Sequence, residues 1–229
     1  MPPTLKALIF DFDGVIANTE PLHFQGLRQT LNEVGIDLTE PEYYADYLGY
    51  DDRGCFVAAL TVSRRSVDQE TIARLMTRKA EIYLESVRHQ QVIFPGIPEF
   101  VRDAARLYPL AIASGALRHE IEYILEVAGL RKEFFHITSA EDVTEGKPDP
   151  QSFHCALNGL RQRDSSLTAP SCLAIEDSLP GIRAAKTAGM KVLAVANTHT
   201  VQDLHEADAI THGLNEITLA DIRARLWPA

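Results

Sequence analysis

From residue 109 onward, short apolar runs alternate with amphipathic segments, and no other feature restricts the fold of this chain as strongly. The run PLAIAS precedes the helical pattern LRHEIEYILEVAGL, and the run CLAIED precedes PGIRAAKTAG, which ends at a glycine. Uninterrupted apolar runs of this length are typical of parallel strands that are covered on both faces. The alternation therefore predicts an α/β fold with a doubly wound, mainly parallel sheet of the Rossmann-like kind.

The first apolar run, LKALIF at residues 5–10, is separated from the others by a long helical block. Between residues 18 and 91, apolar residues recur every three to four positions, which is typical of amphipathic helices. A block of this kind does not fit inside a parallel sheet. We therefore predict an α/β core formed by residues 1–17 and 92–229, with an α-helical cap at 18–91 inserted after the first strand.

Composition restricts the partners and the compartment of the protein. The formal net charge of −10 argues against a nucleic-acid partner, and no apolar run approaches the length of a membrane span. The N-terminal stretch lacks the long apolar segment of a signal peptide. The cysteines, Cys55, Cys155 and Cys172, are odd in number and widely spaced, so reduced thiols in the cytoplasm are expected. The oligomeric state stays open.

Polar side chains gather where the predicted strands end. Open parallel sheets bind ligands at the carboxyl ends of their strands, so these residues are expected to meet at one edge. Lys147 lies in the loop EGKPDP, before a helix that we expect to begin with Asp149 as its N-cap and Pro150 at its first position. The residues at strand ends are Asp11 and Asp13 after LKALIF, Ser114 in PLAIAS, and Glu176 with Asp177 in CLAIED.

The convergence of these residues predicts a site for a phosphoryl group. In an extended chain Asp11 and Asp13 share one face, while Phe12 points into the core. Several carboxylates in one place repel one another, and a hard divalent cation such as Mg²⁺ removes that conflict. Ser114 and Gly115 sit just before a helix whose free N–H groups favour an anion, and Lys147 adds a positive charge. A carboxylate is then available as a nucleophile.

Four motifs resemble those of the haloacid dehalogenase superfamily, in the branch that contains phosphoglycolate phosphatase and β-phosphoglucomutase. They are DFDGVIANTEPLH, IASG, GKPDP and IEDSLPGI. Their order and the position of the helical block are similar to those of this branch, over nearly the whole chain. The resemblance implies that Asp11 is the nucleophile and forms a phospho-aspartate. It also implies that Asp13 protonates the leaving group and then deprotonates the attacking water.

The resemblance implies ligands for the phosphoryl group and for the metal as well. Ser114, with Gly115, and Lys147 would hold the phosphoryl group. The Mg²⁺ site would consist of Asp11, Asp177 and the carbonyl of Asp13, with Glu176 binding the ion or orienting its water.

Two residues of the helical block are candidates for contact with the substrate. His23 lies at a spacing that mutases and phosphatases of this branch share. Arg53 is the only basic residue of the loop at 47–56, YLGYDDRGCF, and its alternative is an exposed charge paired with Asp51 or Asp52. The mutases carry basic residues on both sides of the corresponding glycine, whereas Leu48 precedes that glycine here.

The leading functional hypothesis is therefore an Mg²⁺-dependent phosphatase for a small phosphorylated metabolite. The alternative enzyme is a β-phosphoglucomutase-like sugar phosphomutase that uses the same residues. A third alternative is a non-enzymatic, phospho-accepting signalling module, which also uses aspartate, Mg²⁺ and lysine. Such modules are much shorter and lack an inserted helical block, so the sequence favours an enzyme.

Overall fold

The computed structural model describes residues 3–47, 50 and 52–228 of the chain. The chain divides into two compact units. One unit joins Met1–Asn18 to Val92–Ala229, and the other is Thr19–Gln91. No helix among the described residues is long and apolar enough to cross a membrane.

The first unit is built on a six-stranded sheet in the order β3-β2-β1-β4-β5-β6, and every neighbouring pair is parallel. The predicted α/β fold with a parallel, Rossmann-like sheet is confirmed. The four inner strands carry the longest apolar runs, because both faces of the sheet are covered there. Of the two edge strands, one is interrupted by His136 and the other is only partly buried. The strands are β1 (Ala7–Phe10), β2 (Leu110–Ala113), β3 (Phe134–Thr138), β4 (Cys172–Glu176), β5 (Lys191–Val195) and β6 (Ala209–Thr211).

Helices of the first unit cover both faces of this sheet. Ile9 of β1 belongs to the same buried cluster as Phe153 and Ile182, which lie on two different helices. The next residue, Phe10, points to the opposite face, where its ring packs edge-on against Phe100 with 6.3 Å between ring centroids. The helices are α5 (Ile97–Ala105), α6 (Arg118–Val127), α7 (Gln151–Arg161), α8 (Leu179–Thr187) and α9 (Leu219–Leu226), with 3₁₀ turns at Arg131–Glu133, Ala140–Asp142, Ala169–Ser171 and Leu214–Glu216.

The start of α7 differs from the prediction by one residue. Pro150 occupies the N-cap position and the helix begins at Gln151, so the assignment of Asp149 as N-cap is wrong. The carboxylate of Asp149 instead accepts the N–H of Gln151 at 2.9 Å, two residues ahead, in an Asx turn that leads into the helix.

All regular elements among the described residues of the second unit are helices, as the apolar spacing predicts. Its buried cluster joins all the long helices through residues such as Phe24, Phe56 and Ile72. The carboxylate of Asp68 caps its longest helix by accepting the N–H of Thr71 at 2.7 Å. The helices are α1 (Glu20–Glu33), α2 (Glu40–Glu42) with a π-helical turn at Tyr43–Tyr47, α3 (Asp52–Val62) and α4 (Gln69–His89).

Arg53 does not lie in a loop, because α3 begins at Asp52. An acidic residue in the first turn favours helix initiation, and Cys55 and Phe56 begin the apolar side of α3 that packs into the unit. The expected loop over residues 47–56 is thus wrong from residue 52 onward. Three of its members, Leu48, Gly49 and Asp51, lie outside the described residues.

Candidate active site

The central strand β1 places Asp11 at the carboxyl edge of the sheet. The N–H of Asp11 donates to the carbonyl of Ile175 at 2.9 Å, so the β1–β4 ladder continues to this residue and sets it beside Glu176. On the other side of β1, the N–H of Ser114 donates to the carbonyl of Thr138 at 3.0 Å and extends the β2–β3 ladder. The predicted meeting of strand ends follows from this register.

Lys147 joins two of these strand ends. Its Nζ lies 2.6 Å from Oδ1 of Asp11 and 2.6 Å from Oε1 of Glu176. The ammonium also lies 5.2 Å from the centre of the Phe153 ring, which is a cation–π distance. Burial lowers the pKa of Lys147, but the carboxylates of Asp11 and Glu176 outweigh burial and leave it raised. Lys147 is therefore a fixed positive charge inside the site.

Three carboxyl groups lie around this lysine. One oxygen from each of Asp11, Glu176 and Asp177 lies within 4.8 Å of the others, and all three residues are buried. Burial, followed by repulsion from Glu176, raises the pKa of Asp177 to about 6. Burial raises the pKa of Asp11 well above its ordinary value. The positive charge of Lys147 lowers this pKa, whereas repulsion from Glu176 and Asp177 raises it further. The three carboxyl groups therefore repel one another when they are ionised.

The charge balance of this group suits a divalent cation. Three ionised carboxylates and one ammonium sum to −3 + 1 = −2. Buried charges of this kind either take up protons or bind a metal ion, and oxygen ligands are those that Mg²⁺ prefers. The residues present therefore fit the ion that the family resemblance implies.

Glu176 is held in a single orientation. Its Oε2 accepts the N–H groups of Asp177 at 3.0 Å and Ser178 at 3.2 Å, and also the Ser178 hydroxyl at 3.1 Å. A Cβ atom on Gly181 would lie 1.9 Å from Oε1 of Glu176, so glycine is required where α8 passes this carboxylate. Glu176 thus helps to fix both Lys147 and the start of α8.

Gly14 serves two purposes in the loop after β1. Its φ of +79° is in the left-handed region that glycine adopts at low cost. In addition, a Cβ atom at this position would lie 1.9 Å from Oδ2 of Asp177. The glycine therefore lets the loop turn and lets the Asp177 carboxylate come against its backbone.

Asp13 lies in the same turn but outside the group of three carboxyl groups. Phe12 is fully buried, as predicted, whereas Asp13 is half-buried and forms a backbone bridge with Ala17. The group formed by Asp11, Glu176 and Asp177 does not include the Asp13 carboxylate. Its roles as acid–base group and as carbonyl ligand stay predictions.

The predicted phosphate-binding loop begins at Ser114, which is almost fully buried. Its Oγ accepts the N–H of Ala116 at 3.0 Å, and Gly115 is exposed. The helix after this loop is α6, which begins at Arg118. The expectation that this helix offers free N–H groups is wrong for Arg118. The N–H of Arg118 already donates to the carboxylate of Glu141, at 3.1 Å and 3.4 Å to its two oxygens.

The candidate residues of the helical unit are placed differently. His23 stacks on Tyr83 with 4.5 Å between ring centroids, and its Nδ1 lies 2.6 Å from Nζ of Lys79. Burial, together with the Lys79 charge, lowers the pKa of His23 to about 3. Lys79 is fully buried and pairs with Asp52 at 2.8 Å, while Arg53 is exposed. The alternative that Asp52 pairs with Arg53 is therefore wrong.

Sequence reasoning missed Lys79, although a signal was present. Lysine in an amphipathic helix is normally placed on the solvent side, yet Lys79 follows Ile72 and Leu75 along the apolar stripe of α4. A charged residue in a stripe position predicts a buried partner.

Sequence reasoning also missed two residues that follow β5. The Nδ2 group of Asn197 donates to the carbonyl of Gly14 at 2.8 Å, and the hydroxyl of Thr198 donates to Oδ2 of Asp177. The sequence signal for these two residues is their position shortly after β5, a strand of the same sheet. The rule that ligands gather at carboxyl ends applies to β5 as much as to β1 and β4.

Comparison with known proteins agrees with this layout. A sequence model described as haloacid dehalogenase-like hydrolase matches residues 8–195. The chain is 32% identical over 206 residues to Protein CbbY of Rhodobacter capsulatus, covering 87% of this chain and 88% of that one. It is 29% identical over 231 residues to hexitol phosphatase B of Escherichia coli K12, covering 96% and 98% of the two chains. The crystal structure of CbbY from Rhodobacter sphaeroides in complex with phosphate superposes with a TM-score of 0.82 at 26% identity, covering 95% and 98%.

The fold and these relatives define a hydrolase with a parallel α/β core. The chain belongs to the haloacid dehalogenase-like hydrolase family. Relatives named as phosphatases confirm the prediction of a phosphoric monoester hydrolase.

Proposed function

We propose that the protein is an Mg²⁺-dependent phosphatase that hydrolyses a small phosphorylated metabolite through a phospho-aspartate at Asp11. The observation that carries this proposal is the contact of the Asp11 carboxylate with Lys147, 2.6 Å apart, inside a buried group of three carboxyl groups. A carboxylate in this place is a nucleophile that has a positive charge beside it for the incoming phosphate.

Asp11, Glu176, Asp177 and the carbonyl of Asp13 are the proposed Mg²⁺ ligands. When bound, the ion would neutralise the carboxylates and attract the phosphoryl oxygens. The support is the excess negative charge described above, since both Asp11 and Asp177 have raised pKa values without a cation.

The chemistry then divides between two aspartates. An oxygen of Asp11 attacks phosphorus, and the bond from phosphorus to the substrate oxygen breaks while Asp13 supplies that oxygen with a proton. Asp13 next removes a proton from water, which attacks the phospho-aspartate, releases phosphate and regenerates Asp11. Lys147 and Ser114 hold the phosphoryl oxygens in both steps, and Gly115 contributes to the same loop.

The proposed substrate is a phosphorylated sugar or polyol, because one relative is a hexitol phosphatase. We assign the unit at 19–91 the role of a cap, with His23 and Arg53 as its candidate contacts to the substrate. A phosphomutase on the same residues is the alternative. The residue before Gly49 is leucine, where mutases have a basic residue, and this favours hydrolysis.

The test is an assay of phosphate release from a panel of sugar and polyol phosphates and from a simple aryl phosphate. Chelator-treated protein is expected to be inactive and to recover with Mg²⁺. The variant Asp11→Asn is expected to lose at least about 10³-fold in kcat, because an amide cannot form the acyl phosphate. Asp103→Asn is the matched control, since Asp103 is exposed and pairs with Arg106.

Several results would refute the proposal. Full activity in excess chelator would exclude the metal, and retention of a tenth of kcat by Asp11→Asn would exclude the nucleophile. Isomer exchange without phosphate release would identify a mutase, and a single phosphorylation without turnover would identify a signalling module.

A further inference from the structure

We propose that Asn197 and Thr198, which follow β5, are positioning residues for the metal site. This inference rests on the Mg²⁺ site of the proposed function and assigns the two residues no contact with the substrate. Each residue contacts a different part of the site. Asn197 binds the backbone of the loop after β1, and Thr198 binds a carboxylate at the end of β4.

Thr198 determines the orientation of the Asp177 carboxylate. Its hydroxyl donates to Oδ2, the same oxygen that lies against the backbone of Gly14, where a Cβ atom would be 1.9 Å away. Oδ2 is thus enclosed between Gly14 and Thr198, and this contact fixes the plane of the carboxylate. His199 lies nearby, with Nδ1 3.9 Å from Oδ2 of Asp177 and 3.0 Å from the Thr198 hydroxyl.

Asn197 acts on the other half of the site. Its Nδ2 group donates to the carbonyl of Gly14 at 2.8 Å, and Gly14 directly follows Asp13, whose own carbonyl is a proposed Mg²⁺ ligand. The N–H of Gly14 is bound to the carbonyl of Ala17 at 2.9 Å. The peptide groups around Gly14 are therefore held on both sides, and the direction of the Asp13 carbonyl is set with them.

One dipeptide thus connects the two loops that would supply metal ligands. Outer-sphere partners of this kind orient ligands before the ion arrives, and their loss typically lowers metal affinity about 10–100-fold. The alternative is that the hydrogen bond from the exposed Thr198 to Asp177 has no effect on metal binding. The two interpretations differ in what they predict for the affinity of the protein for Mg²⁺ in the absence of substrate.

The experiment is calorimetric titration of chelator-treated protein with Mg²⁺ alone. Thr198→Val keeps the shape of the side chain and removes the donor, so its Kd for Mg²⁺ is expected to rise about tenfold or more. Thr198→Ser keeps the hydroxyl and is expected to stay within about threefold of wild type. Thr200→Val is the matched control, because the Thr200 hydroxyl in the same segment donates to Asp203 at 2.6 Å.

A second readout separates positioning from general damage. At saturating Mg²⁺ the kcat of Thr198→Val is expected to return to within about threefold of wild type, because the ligand is displaced and not removed. Asn197→Ala tests the other contact independently, with an expected rise in Kd of similar size. Circular dichroism and melting temperature establish that each variant is folded, and Thr198→Ala replaces Thr198→Val if the valine variant does not fold.

The outcomes are distinct. If wild-type protein binds no Mg²⁺, the metal part of the proposed function fails. If wild type binds Mg²⁺ and both Thr198→Val and Asn197→Ala bind it equally well, the positioning role is overturned while the proposed function stands. A loss in Thr200→Val as large as that in Thr198→Val would also overturn it.

Discussion

Each of the two units contains a buried lysine, and the surroundings of the two lysines differ in charge. In the core, Lys147 contacts Asp11 and Glu176, and Asp177 lies in the same group, so the charges sum to −2. In the helical unit, Lys79 contacts the carboxylate of Asp52 and the neutral ring of His23, so the charges there sum to zero.

This difference separates the candidate active site from a charge-balanced polar cluster. In a buried group with zero net charge, the side chains of the group balance one another's charge without an added ion. A buried group with excess negative charge is incomplete until it gains protons or a cation, and such groups concentrate at functional sites. A buried lysine by itself therefore says little about function. The net charge of the groups around the lysine is the better indicator of a functional site.

The strongest test of the comparison replaces each lysine by methionine, which has a similar volume. Lys147→Met is expected to lower kcat/KM by about 10²–10³-fold, because removal of one electrostatic donor to a transition state typically has this effect. Lys79→Met is expected to change turnover of an aryl phosphate by less than about tenfold and to lower the free energy of unfolding by about 1–3 kcal/mol.

Kinetics and urea denaturation of both variants measure these effects. The comparison would be broken if Lys79→Met lost as much activity as Lys147→Met while remaining folded.

A second test places a methyl group near each site. Gly14→Ala would bring a Cβ atom to 1.9 Å from Asp177, so we expect a loss of about tenfold or more in kcat/KM and a raised Mg²⁺ requirement. Gly26→Ala places its Cβ atom 3.4 Å from Cγ of Lys79, and helix propensity favours alanine by about 1 kcal/mol, so little change is expected.

Gly129→Ala is the control for backbone strain, since Gly129 has a φ of +64° and open space around it. Equal activity losses in Gly14→Ala and Gly129→Ala would show that strain matters more than the contact with Asp177.

The two sites should also respond to pH in opposite directions. The pKa of Asp177, about 6, is above its ordinary 3.8, so the metal-free native state binds more protons than the unfolded chain in that interval. The contribution of Asp177 to stability therefore falls as pH rises from about 4 to 6. The pKa of His23, about 3, is below its ordinary 6.5, so its contribution rises with pH up to about 6.5.

Urea denaturation of wild type and His23→Gln at pH 4.5, 5.5 and 7 tests whether the contribution of His23 to stability rises with pH. Wild type is expected to gain about 1–3 kcal/mol over the variant across this range. Parallel pH profiles would mean that burial and the Lys79 charge do not hold the His23 ring neutral in the native state.

The smallest expected effect concerns Arg53, the exposed base beside Asp52. If Arg53 contacts the substrate, Arg53→Ala lowers kcat/KM for the physiological phosphate ester by about tenfold, which corresponds to 1.36 kcal/mol. An aryl phosphate should be much less affected, and the melting temperature should hardly change. An equal effect on both substrates, or none on either, would leave Arg53 as an exposed charge.

The sequence predicted the sheet and the convergence of charged residues because both depend on local patterns. Apolar runs define β1, β2 and β4, and the carboxyl-end rule then brings Asp11 and Glu176 together without knowledge of any distance. Contacts formed by tertiary packing were not predictable in this way. The bond between Glu141 and the first N–H of α6 joins residues 23 apart in the chain, and no local pattern indicates it.

The same limit explains the residues that were missed. Lys79 could have been recognised from its place in the apolar stripe of α4, but its partners lie on two other helices. Asn197 and Thr198 follow a strand whose end carries no charge, so a pattern of acidic and basic residues does not indicate them. Asn197 contacts Gly14, 183 residues earlier, and Thr198 contacts Asp177, 21 residues earlier.

The central place of β1 in the sheet has a consequence for the order of folding. β1 pairs with β2 and β4, whose partner residues begin at Leu110 and Cys172. A chain emerging from the ribosome therefore presents Asp11 first, and the strand that carries Glu176 is made long afterwards. Contacts so distant in sequence form slowly, because a long loop must close before they contribute. The internal contacts of the helical unit lie within 19–91, so this unit can gain structure before β4 is made and the carboxyl edge of the sheet is assembled.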